Sequence, residues 1–242
     1  MANMEKRIFL IFFTLFLVAG IIAQTSEQNQ IRFKLWYEMN EPLALPEQNS
    51  IANIEDSKTS EIEESGYKYS INAIHQIVPF ILEGTLYGWN FNYTPSDKIR
   101  NVSEYFELSA IHTILLSDPQ ISYDSPLITD SGNNFSCWIT YSCTKYQKEL
   151  LEYRESINLP KISGKGSSEV QNETDGIKKA FTEAAKNAIR EYYRTIIKNK
   201  PKEITGSVYL IGDPRYYIDE GNYIADLDFY LEKGTILQYI YF

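Results

Sequence analysis

Cysteine, histidine and acidic residues are the natural starting points for chemistry in this chain. Cys137 and Cys143 are the only two cysteines, and His75 and His112 the only two histidines. A thiolate activated by an imidazole would need one of each brought together in the fold. His75 falls within a helical pattern and His112 within a β-prone run, where packed or half-exposed histidines are the ordinary reading. Cys137 and Cys143 lie six positions apart. In a straight strand that separation is about 20 Å, whereas a disulfide needs Cα atoms within about 7 Å. A hairpin between them would permit a bridge, and a straight strand would leave two thiols. Asp226 and Asp228 share one face of a strand, with Glu232 further along it. Oxygen ligands so placed are weak candidates for a hard cation such as Ca²⁺. The alternating Tyr223, Ala225, Leu227, Phe229 and Leu231 argue instead for a half-buried strand with its acids in water. Two Ser-x-x-Lys runs, Ser65 to Lys68 and Ser142 to Lys145, lack a companion Lys-Thr-Gly. No HExxH, GxSxG, GxGxxG or GxxxxGK run occurs. Catalytic residues are therefore not assigned, and neither a cofactor nor a resident metal is expected.

Aromatic residues are the one compositional excess, with 19 Tyr, 12 Phe and 3 Trp among 242 residues. Tyr87, Trp89, Phe91 and Tyr93 would share one face of a strand. Such a row can stack on sugars or dock a protein, since Tyr and Trp join a large apolar area to a polar edge. A strand packed beneath a helix shows the same pattern, and core packing is the preferred reading.

The amino terminus carries an address. Lys6 and Arg7 precede the apolar run Ile8 to Ile22, and Ala23 stands before a polar stretch. This describes a secretory signal peptide, residues 1–23, cleaved near Ala23. The run is short for a membrane span of about 20 residues, so the mature chain is expected not to cross a bilayer. The product would be periplasmic or extracellular. A net charge of −9 speaks against nucleic acid as a partner.

The elements that would position these residues form an α+β fold: antiparallel sheet covered by a long amphipathic helix. Residues 24–160 make an N-terminal α+β region that contains an acidic, loosely ordered loop at 40–68. Ser70 is a plausible cap for a helix that Pro79 should shorten and Gly84 end. A strand over 85–93, a β-prone run from Val102 to Leu116, a strand through the cysteines and a short helix from Lys145 to Ser156 follow. Gly164, Gly166 and their serine neighbours make 161–174 a linker by composition. Residues 175–242 hold the long helix, with Thr174 as its cap, and a β-meander that turns at Glu232 to Gly234. Similar residues at Glu83 to Tyr87 and Thr205 to Tyr209 allow two related helix-on-sheet halves.

The reading that results is an exported, non-catalytic envelope protein. It would be structural, or would bind a protein or polysaccharide of the cell envelope. A small outer-membrane β-barrel is the alternative, prompted by the aromatic strands and the run Thr235 to Phe242. An exported hydrolase using a carboxylate pair is the third.

Overall fold

The computed structural model describes residues 29–39, 57–128 and 134–239. In chain order the elements are β1 (Gln30–Glu38), α1 (Ser57–Leu86), β2 (Trp89–Thr94), β3 (Tyr105–Ala110), β4 (Ile121–Ile128), β5 (Asn134–Ser142) and α2 (Lys145–Ser156). They continue with β6 (Lys161–Glu169), a 3₁₀ turn at Val170–Asn172, α3 (Glu173–Ile196), β7 (Glu203–Ile211), β8 (Tyr216–Asp219) and β9 (Asn222–Leu237). Two antiparallel sheets and the helices packed on them make an α+β protein. The signal-peptide segment lies outside the described residues, as does the 40–56 part of the acidic loop.

Period-two burial builds the sheets. Tyr223, Ala225, Leu227, Phe229 and Leu231 of β9 are buried while Asp226 and Glu232 face water. β9 is the spine of the larger sheet, ordered β3-β2-β7-β9-β6, with β8 also paired to its first residues. The smaller sheet is ordered β1-β5-β4. Both are open, so the described strands do not close into the barrel entertained from the sequence. The helix α3 buries Ile177, Ala180, Phe181, Ala184, Ala188 and Ile189 at three- and four-residue spacing, against β6 and β9. α1 lies between α3, β7 and the smaller sheet.

Several sequence expectations are corrected here. The supposed linker is strand β6, paired with β9 along its whole length from Lys161↔Tyr230 to Glu169↔Asn222. Its glycines exist because α3 crosses too close for a side chain: a Cβ on Gly166 would sit 2.2 Å from the Ala180 carbonyl oxygen, and one on Gly164 2.1 Å from that of Ala184. Residues 57–68 are the start of α1, not loop. α1 continues past Pro79 and Gly84 to Leu86, and Ser70, inside it, donates its hydroxyl to the Glu38 carbonyl at 2.7 Å. Thr174 caps nothing; its hydroxyl donates to Gln76 Oε1 at 3.1 Å. Residues 232–234 do not turn, and β9 runs through them with an irregular register opposite Ile204 and Gly206. The strands that follow the two helices, β2 and β7, pair directly within the one larger sheet. β5 is straight, and Cys137 and Cys143 are free.

Glu83 introduces a pH dependence. It is buried on α1 and accepts the Ile114 amide at 2.9 Å. Burial raises its carboxyl above 4.5, against the lowering influence of that hydrogen bond and of Lys178 and His112. A raised native pKa means stability that is full below about 4.5 and lost as pH climbs through the native value. Glu83→Gln keeps an acceptor for Ile114 and cannot ionise. Urea midpoints of the variant should rise relative to the native chain between about pH 4 and about pH 7; a constant difference across that range would show that Glu83 does not titrate as argued.

Candidate functional site

The face of the larger sheet turned away from α3 carries the polar members of each strand. Register sets them in rows: Lys161, Tyr230 and Tyr209 lie across β6, β9 and β7, and Ser163, Asp228 and Ile211 form the next row. The helix α2 stands over one end of this face. Its start is fixed by a reciprocal cap, with Gln147 N donating to Thr144 Oγ1 at 3.3 Å and Thr144 N to Gln147 Oε1 at 2.7 Å. Gln147 Nε2 then donates to the hydroxyls of Tyr87 at 2.7 Å and Tyr141 at 3.0 Å, which ties the helix to β5 and to the turn between α1 and β2.

Between α2 and the sheet runs a groove of about 590 Å³. Tyr209 and Tyr230 line it, with Leu151, Arg154 and Glu155 from the helix and Lys161, Ser163 and Asp228 from the strands. Arg154 is only 6% exposed. Its Nη1 donates to the Thr85 carbonyl at 3.0 Å, its Nη2 to that of Leu86, and its guanidinium carbon lies 4.1 Å from the Tyr209 ring centre. Those carbonyls end α1, so Arg154 is first of all a cap on the negative end of a helix.

A second hollow of about 290 Å³ is lined by Lys34, Trp36, Trp138, Asp213, Arg215 and Tyr217, among others. Trp36 stacks on Tyr216 at 5.0 Å, and Arg32 sits 4.5 Å over the Trp138 ring. The two hollows meet at an ion pair, Arg215 Nη2 to Asp228 Oδ2, 2.9 Å. Ser163 Oγ also donates to Asp228 Oδ1 at 2.6 Å.

The Ser163 hydroxyl and Arg215 keep the Asp228 carboxyl below its usual range and ionised. Burial, with Glu232 accepting its hydroxyl, pushes Tyr209 up to about 12, so it stays a neutral phenol. Among the described residues the carboxyls raised in the manner of a general acid, Glu38 and Glu83, line neither hollow.

The residues singled out from sequence fall elsewhere or in altered roles. Trp89, Phe91 and Tyr93 are buried, and Trp89 stacks on Phe80 at 4.7 Å. They are core, not an open docking row, because α1 and α3 cover that face. Tyr87 is half-buried against His112, their ring centres 4.6 Å apart. Asp226 and Asp228 do share the exposed face, where Arg215 lies 4.0 Å and 2.9 Å from their carboxylates. His75 and Cys137 line one apolar hollow of about 170 Å³. Burial pushes the Cys137 thiol up to about 11 and lowers His75, the reverse of an activated pair. Tyr209, Tyr230, Trp36 and Trp138 carry the groove, and only the alternation of β7 and β9 hinted at two of them.

The fold defines an α+β protein with two open antiparallel sheets and helices packed on them. A sequence-family model matches residues 17–239. An uncharacterised protein of Treponema pallidum (strain Nichols) is 30% identical over 166 residues, which is 69% of each chain. The chain belongs to the family of that protein. No solved structure matches it. Among the described residues no helix is long and apolar enough to cross a membrane.

Proposed function

We propose that the protein is an exported, non-catalytic module of the cell envelope that binds a polysaccharide along the groove between α2 and the larger sheet. Export rests on the sequence: Lys6 and Arg7, the apolar run 8–22 and the small residue Ala23. The observation that carries the binding reading is the pair Tyr209 and Tyr230, neighbours across β7 and β9 in a groove of about 590 Å³. Pyranose rings present apolar faces that stack on phenol rings, and hydroxyl edges that suit ionised, pre-positioned groups such as Asp228 and Lys161. Trp36 and Trp138 continue the aromatic lining beyond the Arg215–Asp228 pair, the length a polymer would need. A protein partner in place of a polysaccharide would use the same rings.

The test uses protein recovered outside the cytoplasm, whose first residue should be Gln24. Co-sedimentation with insoluble envelope polysaccharide should fall about tenfold in Tyr230→Ala combined with Trp138→Ala, at about 0.5–1.5 kcal/mol for each aromatic ring lost. Unchanged sedimentation, or Met1 retained on cytosolic material, would overturn the reading.

A further inference from the structure

One end of this acidic molecule is basic. Segments 95–101, 196–202 and 235–239 meet there. Lys200 Nζ donates to the Ser96 carbonyl at 2.7 Å, the Lys202 amide to that of Leu237 at 2.8 Å, and the Arg100 guanidinium lies 4.2 Å from the Tyr239 ring centre. These segments hold Lys98, Arg100, Lys198, Lys200 and Lys202 against Asp97, in a chain of net charge −9. Arg190 and Arg194 follow along α3, paired with Glu104 at 3.7 Å and Glu191 at 3.5 Å.

The same end holds large apolar side chains out in water. Ile99 is 94% exposed between Lys98 and Arg100, Ile196 is 51% exposed, and Leu237 46%. Isolated surface apolar residues are ordinary, but apolar tips set among lysines at one pole of a molecule are what an interface with lipid requires. Behind them lies a cavity of about 460 Å³, with Arg190, Lys198, Ile197, Tyr193 and the carboxylate of Glu104 in its lining.

We propose that this end docks on an anionic lipid surface, with Ile99 and Ile196 at the acyl boundary and the lysines among phosphate headgroups. Charge complementarity selects the occupant. A negative leaflet attracts each nearby Lys or Arg, and the acidic remainder of the molecule is screened beyond about 8 Å at physiological salt. A soluble polyanion would use the lysines alike and gain nothing from Ile99. This inference is independent of the groove and of its ligand.

Vesicle flotation with the full chain tests it; residues 8–22 are common to every variant and cancel from the comparison. Binding to phosphatidylcholine vesicles containing phosphatidylglycerol should exceed binding to phosphatidylcholine alone at least tenfold. Lys98→Glu with Lys198→Glu should remove about tenfold or more of it, at roughly fivefold per cation. Lys145→Glu with Lys179→Glu, the same change in net charge elsewhere, should alter it less than about twofold. Ile99→Ser should weaken binding about threefold. Equal loss in the two lysine pairs would overturn the proposal, as would indifference to Ile99→Ser. Complete displacement by soluble glycerol phosphate or by polyphosphate would overturn it too, in favour of a free anion or a soluble polyanion.

Discussion

Arg154→Met should lower the melting temperature by roughly 6–12 °C, the equivalent of about 3 kcal/mol for a chain of this size. The reason begins with α1, 30 residues long and ending at Leu86. The last carbonyls of any helix lack intrahelical donors and carry the negative end of its dipole. Here the carbonyls of Thr85 and Leu86 are met by the two arms of one guanidinium, whose flat face also rests on Tyr209. Burial disfavours the charge and draws the Arg154 pKa below the ordinary arginine range, with Tyr209 and Glu232 acting to restore it. Methionine fills much of the volume and leaves both carbonyls without a donor. Lysine keeps the charge but cannot span two carbonyls and stack at once, so Arg154→Lys should recover less than half of the loss. A methionine variant that melts within about 2 °C of the native chain would show that α1 needs no such cap.

The second large effect is steric. Gly166→Ala should destabilise by at least about 3 kcal/mol, because the new methyl would lie 2.2 Å from both the Ala180 carbonyl oxygen and the Ala184 amide nitrogen. These are backbone atoms of α3, so no rotamer change relieves the clash; the helix must lift off β6. Lifting it loosens Ala180, Ala184 and Ala188, all buried at this contact. Gly212→Ala is the control. A Cβ there meets nothing within 4 Å, and only the φ of +72° opposes it, for about 1 kcal/mol. Thermal melts should therefore separate the two glycines widely, and similar losses at both would remove the case for close helix–strand contact.

That contact also explains what the sequence could and could not reveal. Strong periodicity was readable: the Ile177-to-Tyr193 face of α3, the alternation of β9, and the Lys145–Ser156 helix all stand where pattern places them. β6 escaped because Gly and Ser look like linker residues until a helix is known to pass overhead. Pro79 did not shorten α1, since a proline within a long, buried helix loses one hydrogen bond while its neighbours Ile77, Val78 and Ile81 stay packed. The aromatic row over 87–93 was legible as a row but not as to its side; its burial is set by α1 and α3, distant in sequence. The groove was hidden for the same reason. Tyr209, Arg154 and Asp228 come from three separate elements, and no local spacing relates them.

β9 has a bearing on when this protein can become itself. Among the described residues β6 pairs only with β9, and β7 shares its other edge with β2. A nascent chain must therefore wait for residues 222–237 to leave the ribosome before the larger sheet can assemble. Until then β6 and β7 have no strand between them, and the larger sheet stays incomplete.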